Sequence, residues 1–96
     1  IPGDAADIAV RLDGTVLVSF ANQVREIGPD GTTRLLAGST APSGENGPAI
    51  QARLRSPAGL ALDHLGNVYF SERAANRLRV ITPAKTIHTV QNTSFV

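Results

Sequence analysis

The sequence predicts an all-β fold made of two repeated units, and two observations carry this prediction. First, a block near the amino terminus recurs 52 positions further on, and after a two-residue slip the recurrence continues at an offset of 54. The identical pairs are Ala9/Ala61, Gly14/Gly66, Val16/Val68, Ser19/Ser71, Arg25/Arg79, Ile27/Ile81, Pro29/Pro83 and Thr32/Thr86. Second, both units consist of short apolar runs separated by turn-forming residues, which is typical of strands. A long repeat of this composition indicates stacked sheets.

Four strands are predicted in the first unit. In chain order they are Asp7–Val10, Thr15–Phe20, Gln23–Ile27 and Thr32–Leu36. Asp13-Gly14 separates the first two strands and is a strong hairpin signal, because a tight turn needs a positive φ that glycine adopts at little cost. Ala21-Asn22 and the segment 29–31, Pro-Asp-Gly, separate the remaining strands. These breaks predict a sequential antiparallel sheet.

The second unit repeats this order after a long connection. Its predicted strands are Gly59–Leu62, Asn67–Ser71, Arg77–Ile81 and Thr86–Val90. The intervening residues are rich in Gly, Ser and Pro, and a connection of this length is usually functional or mobile. A short helical turn is predicted over 48–54 within it. We therefore divide the chain into a first unit at about 5–38, a connecting loop at 39–56 and a second unit at about 57–96.

Apolar residues are distributed unevenly among the strands of each unit. The first two strands are apolar on both faces, as in Val16–Val18 and Val68–Phe70, which indicates that both sides of the sheet are covered. The third and fourth strands mix in polar residues such as Arg25 and His88. A sandwich would alternate apolar and polar residues in all its strands. The gradient favours a β-propeller blade, whose inner strands crowd around an axis while its outer strand meets water.

The second unit resembles the NHL repeat, the blade of a group of usually six-bladed propellers. Residues 57–83 carry its pattern: Pro and Gly, an apolar-Ala-apolar-Asp strand, Gly-Asn, an apolar strand, an acid, then Asn-Arg and an apolar residue. Residues 44–54 are similar to a Gly-Asp-Gly-Gly-Pro-Ala insertion of long-loop members. The resemblance implies two four-stranded antiparallel propeller blades that belong to a larger propeller or to one completed by oligomerisation.

The resemblance also implies a structural pair, because the family has an acid at Glu72 and an Arg at Arg77. In the first unit the corresponding residues are Phe20 and Gln23, so acid and base are absent together. We hypothesise that Glu72 and Arg77 hydrogen-bond across the middle hairpin of the second blade. At a partly exposed site, Glu72→Ala is expected to cost about 0.5–1 kcal/mol.

Bulk properties and isolated polar residues argue against several kinds of site. The chain has 96 residues, a formal net charge of +1 and no Cys, so nucleic acid is a poor partner and thiolate metal sites are excluded. No apolar run reaches the length of a membrane helix, so no membrane partner is predicted. The two His residues fall in a turn (His64) and on an outer strand (His88). No catalytic residue, metal ligand or cofactor is predicted.

Other polar residues have structural interpretations. Asp13, Asp30 and Asp63 lie beside turns, where carboxylates commonly accept hydrogen bonds from their own backbone. Ser19 and Ser71 recur at one place in both units, which favours a packing role over a nucleophile, since no Gly-x-Ser-x-Gly motif surrounds either.

Two blades cannot close a ring, and blade faces that are apolar on both sides need neighbours. We expect head-to-tail association with copies of the same chain, a trimer of six blades being the favoured ring, or completion by the remaining blades of a parent propeller. The expected role is a non-enzymatic scaffold that binds a protein or small ligand on a loop face. The candidate binding residues are Ser43, Glu45, Asn46, His64, Arg73 and Asn76.

An enzymatic alternative stays open. Similar propellers include lactonases and a peptide-amidating lyase, which hold a metal at the central axis with acids and histidines from several blades. One chain supplies few such ligands, but a threefold ring would supply three copies of one residue.

Overall fold

A computed structural model describes residues 5–38, 46–75 and 77–91 of the chain. In these residues the fold is all-β, as predicted, with two short 3-10 helices. The elements are β1 (Ala5–Val10), β2 (Val16–Phe20), β3 (Gln23–Ile27), β4 (Thr33–Ala37), the 3-10 helix Ala49–Gln51, β5 (Pro57–Leu62), β6 (Val68–Glu72), the 3-10 helix Arg73–Ala75, β7 (Arg77–Ile81) and β8 (Ile87–Gln91). Every predicted strand is confirmed, with ends shifted by at most two residues.

The strands form two separate antiparallel sheets. The first sheet has the order β1-β2-β3-β4 and the second has the order β5-β6-β7-β8. Each is a sequential four-stranded meander, which is the form of a propeller blade. The predicted helical turn in the connecting loop is present but shorter than expected, because the chain returns to an extended conformation at Ala52.

Strand register confirms the sequence repeat and explains its two-residue slip. Val16 lies opposite Ile27 in the first sheet, and Val68 lies opposite Ile81 in the second. Only two residues, 21–22, join β2 to β3, whereas four residues, 73–76, join β6 to β7. The longer connection in the second sheet therefore shifts every later equivalent position by two.

The core lies where the two sheets pack against each other, with β5 against β1 and β2. Leu60 and Leu62 of β5 are partly buried against this core. Its fully packed members come from both sheets and from the connecting loop: Leu17, Val24, Leu36, Ala37, Ala49, Ala52, Leu54, Val68, Phe70, Ile81 and Ile87. The first sheet thus covers one face of the second.

Gly38, at the end of β4, occupies a position that only glycine fits. Its φ is +120°, and a Cβ there would overlap the carbonyl oxygen of Asn22 and lie 2.9 Å from the Cα of Gln23. We expect Gly38→Ala to lower the free energy of unfolding by about 2–3 kcal/mol, since it adds backbone strain and a clash. Urea denaturation at one protein concentration measures this loss.

Gly31→Ala is the matched control for this substitution. Gly31 also has a positive φ, +87°, but a Cβ there would meet nothing within 4 Å. The control should lose only about 1 kcal/mol, from backbone strain alone. Equal losses in the two variants would show that the close approach at Gly38 contributes nothing.

Candidate functional site

The most deeply buried charged group is the Glu72 carboxylate at the end of β6. Its side chain is fully buried and accepts hydrogen bonds from Arg77 Nε at 2.9 Å and Arg79 Nη1 at 3.3 Å. The backbone N–H of Arg55, in the connecting loop, donates to its second oxygen at 2.6 Å. The contact expected between Glu72 and Arg77 is therefore present, and Glu72 also ties the connecting loop to the second sheet.

The surroundings of Glu72 correct the expected energetics of this pair. The site is buried rather than partly exposed, since the Arg79 side chain is only 2% exposed. An expected loss of 0.5–1 kcal/mol for Glu72→Ala is therefore too small. Arg79 was missed as a partner, although its identity with Arg25 in the repeat was a usable signal. In the first sheet Arg25 Nη1 lies 3.5 Å from the side-chain oxygen of Gln23, so one base persists there without the acid.

Two side chains of the first sheet bond to the backbone of β5. The buried Ser19 hydroxyl donates to the carbonyl oxygen of Ala58 at 2.7 Å. Asp7 accepts from the backbone N–H of Leu60 at 2.9 Å through one oxygen and from that of Ile8 at 2.9 Å through the other. The packing role expected for Ser19 is confirmed, while Asp7 was not selected from the sequence. These bonds fix the register of the sheets along their inner strands.

An exposed apolar surface lies on the side of the first sheet that faces away from the second, and we call it the leading flank. It contains Ile8 and Val10 of β1, each 59% exposed. The repeat-equivalent residues of β5 are Leu60 and Leu62, which pack against the core between the sheets. The same positions are thus covered in one sheet and open in the other.

The opposite surface, on the second sheet, is the trailing flank, formed by Tyr69, Ser71, Leu78 and Val80. All four are only partly buried. Their equivalents in the first sheet are Leu17, Ser19, Val24 and Glu26, which are all buried. Each flank is therefore the repeat equivalent of a surface that is covered where the two sheets pack inside the chain.

The structure describes three of the six sequence-predicted binding residues, Asn46, His64 and Arg73. Ser43, Glu45 and Asn76 lie outside the described residues. Asn46 is exposed, and its side-chain oxygen lies 2.8 Å from Nδ1 of His88 on β8. The exposed residues His64 and Arg73 lie at opposite ends of β6, because one precedes this strand and the other follows it.

A cleft of about 430 Å³ lies between the β1–β2 and β5–β6 turns. Its lining is Val10, Arg11, Leu12, Asp13, Leu62, Asp63, His64 and Gly66. Apolar side chains of the inner strands alternate there with charged turn residues. Arg11 forms an ion pair with Glu26, so its charge is already neutralised within the first sheet. The cleft brings His64 beside Asp63 and Asp13, and it is the place where a small ligand could contact both sheets.

Turn aspartates cap their own backbone in both sheets, as predicted. Asp13 accepts from the N–H of Thr15 at 2.9 Å, and this bond lowers its pKa below the ordinary value of 3.8. Asp30 accepts from the hydroxyl of Thr32 at 2.7 Å and from its N–H at 3.1 Å, which lowers the pKa of Asp30 in the same direction. Each bond favours the ionised carboxylate.

Asp63 has the largest set of partners among these turn carboxylates. It accepts from the side-chain amide of Asn67 at 2.8 Å, from the N–H groups of Asn67 and Leu65 at 2.9 Å each, and from the hydroxyl of Tyr69 at 3.4 Å. The Asn67 side chain is the main cause of a pKa below 3.8. Asp63 is therefore occupied by its own turn.

These lowered pKa values predict acid sensitivity. Because folding lowers the pKa, the stabilisation is complete above about pH 3.8 and is lost as the pH falls through the folded-state value. We expect the urea midpoint of the wild type to exceed that of Asp63→Asn at neutral pH, and the difference to shrink on acidification below 3.8. A difference that stays constant from neutral pH down to pH 2 would contradict the ionised-cap assignment.

Within 5–38, 46–75 and 77–91, no three His, Asp or Glu side chains are grouped so that they could hold a metal ion. No helix in the described part of the chain is long and apolar enough to cross a bilayer. No protein-family model matches the chain, and no curated protein matches it. The exposed flanks of the two sheets are therefore the basis for inferring function.

Proposed function

We propose that this chain is an NHL-like propeller building unit that associates head to tail with copies of itself. Three chains would form a closed ring of six blades that serves as a non-enzymatic scaffold for a protein or small ligand. One observation carries the proposal: Ile8 and Val10 are largely exposed, whereas their equivalents Leu60 and Leu62 pack against the core. An exposed pair of this kind, continuous with an inner strand, marks an interaction surface.

The interface inside the chain supports a copy of the same chain as the partner. There, Leu17 and Val24 of the first sheet belong to the core against which Leu60 and Leu62 of the second sheet pack. A second copy would bring its leading flank onto the trailing flank of the first, so that its Ile8 and Val10 meet equivalent surroundings. Such contacts are heterologous, and they close into a ring when the rotation between successive blades fits. Each new interface would reuse a packing that the sequence already encodes.

The scaffold part of the proposal rests on the cleft between the β1–β2 and β5–β6 turns. In a ring this cleft would recur in each chain near the inner strands. Apolar walls with a few charged residues at the rim are typical of small-ligand sites. His64 and Leu12, both exposed there, are the side chains that a ligand would meet first.

Light scattering coupled to size-exclusion chromatography tests the assembly. We expect a particle of about three times the chain mass of 10.0 kDa, with dissociation on dilution. A particle of one chain mass at every concentration would contradict self-association. The flanks would then have to be covered by blades of another polypeptide.

A further inference from the structure

Ser71, on the trailing flank, has an unused hydrogen-bonding capacity that its repeat equivalent uses. The Ser71 hydroxyl oxygen accepts from the N–H of Gly59 at 3.1 Å, and within the described residues its own proton meets no acceptor. At the equivalent position, the Ser19 hydroxyl donates to the carbonyl oxygen of Ala58 at 2.7 Å. Ser19 therefore donates across to a neighbouring sheet, whereas Ser71 has no neighbouring sheet on its side and only accepts a bond from its own.

The acceptor that Ser71 lacks has an equivalent in β1. Ala58 lies in the bulge between Pro57 and Leu60, and its repeat equivalent, Ala6, lies in the bulge between Ala5 and Asp7. A bulge leaves its extra residue unpaired in the strand ladder, so its carbonyl is available to a neighbour. Ala58 uses this freedom to bind Ser19.

We infer that Ser71 donates a hydrogen bond to the backbone carbonyl of Ala6 in a second copy of this chain, and so fixes the register between copies. The inference rests on the proposed head-to-tail assembly and names its polar contact. The partner surface is β1 of the next copy, with Ile8 and Val10 packed on Tyr69 and Leu78. Ser71 therefore has the role between chains that Ser19 has within one chain.

A second feature of the repeat explains why the interface between copies needs no equivalent of the Asp7 bond. Asp7 makes another polar contact of the internal interface, but the equivalent residue in the second sheet is Gly59, which has no carboxylate. In the next copy, the backbone N–H equivalent to that of Leu60 belongs to Ile8. The Ile8 N–H already donates to Asp7 of its own chain at 2.9 Å. Association would therefore leave the Ile8 N–H satisfied without any contribution from Gly59.

Ser71→Ala and Ser19→Ala, made separately in the full chain, test this inference. Sedimentation equilibrium gives the association constant, and urea denaturation at dilutions where the chains are separate gives the stability of one chain. We expect Ser71→Ala to weaken association by about tenfold per interface and to lower the dilute urea midpoint less than Ser19→Ala does, because within one chain it loses only the exposed bond from the Gly59 N–H. Ser19→Ala should lower the dilute midpoint, because its bond lies within one chain.

The outcomes separate this inference from the proposed function. Unchanged association of Ser71→Ala, with the wild type still trimeric, would overturn the role of Ser71 and leave head-to-tail assembly standing. A dilute midpoint lowered as much by Ser71→Ala as by Ser19→Ala would assign Ser71 to the fold of one chain and overturn the inference. A wild type that is monomeric at every concentration would overturn both.

Discussion

Glu72→Ala is expected to lower the free energy of unfolding by about 3–5 kcal/mol, the largest loss of stability among the substitutions considered for this chain. The carboxylate is fully buried and lies 3.3 Å from Arg79 Nη1, whose side chain is also buried. Removing the Glu72 carboxylate takes a negative charge away from the buried Arg79 guanidinium. It also removes the acceptor of the Arg55 N–H. Small domains have only about 5–15 kcal/mol of total stability, so the loss would be a large fraction of it.

Arg77→Ala is the control for Glu72→Ala. Arg77 keeps a quarter of its side chain exposed, and its removal leaves Glu72 with Arg79 and the Arg55 N–H. We therefore expect a loss of about 1 kcal/mol, near that of a partly exposed ion pair. Urea midpoints at one protein concentration, with unchanged slopes, measure both variants. If Glu72→Ala lost no more than Arg77→Ala, the buried network would not be the main support of the middle hairpin.

Ile8→Asp is expected to abolish self-association, with a decrease of at least about a thousandfold in the association constant. The substitution would place an unpaired carboxylate in an apolar interface, which costs several kcal/mol unless the group is paired. The fold of one chain should survive, because Ile8 is 59% exposed in it. Light scattering should report the chain mass instead of three times that mass.

Leu12→Asp provides the matched control for Ile8→Asp. Leu12 is an equally apolar residue of the same hairpin and is fully exposed. Its repeat equivalent, His64, stays exposed even where the two sheets pack, so the interface between copies should leave Leu12 uncovered. We expect Leu12→Asp to associate like the wild type. Dissociation by both substitutions would indicate a general effect of added charge, and dissociation by neither would exclude the leading flank as the interface.

Local sequence signals predicted the fold because the turns of this chain use recognisable residues. Gly14, which follows Asp13, and the matching Gly66 have the positive φ that glycine permits, at 91° and 92°, so the hairpins could be located from the residues alone. The β2–β3 turn was harder, since Ala21 has a φ of 51° without being glycine. The sequence located that connection as Ala21-Asn22, the break between two strand-like runs.

The buried network of Glu72 was only half predictable. The resemblance to the NHL repeat implied the cross-hairpin pair of Glu72 and Arg77. Arg55 comes from the connecting loop and reaches Glu72 through its backbone, which no side-chain pattern reveals. Asp7 escaped notice for a similar reason, since its bond to Leu60 joins two sheets whose packing is not encoded locally.

The sequence predicted loop residues for binding without predicting how these residues are arranged in space. His64 and Arg73 are close in sequence, but a strand of five residues separates them, so they lie at opposite ends of the sheet. The sequence predicted that two blade faces would be left uncovered, but only a comparison of exposure between repeat-equivalent positions identified the residues that form the flanks. That comparison requires coordinates, because Ile8 and Leu60 are equally apolar in the sequence.

Native mass spectrometry of a mixture of unlabelled and ¹⁵N-labelled chains, equilibrated after dilution and reconcentration, tests head-to-tail closure most directly. Three-chain assembly predicts four masses, for particles with zero, one, two or three labelled chains, in proportions set by the mixing ratio. Two masses, one of a single unlabelled chain at 10.0 kDa and one of a single labelled chain, would contradict the account. The open flanks of each copy would then remain uncovered by its neighbours.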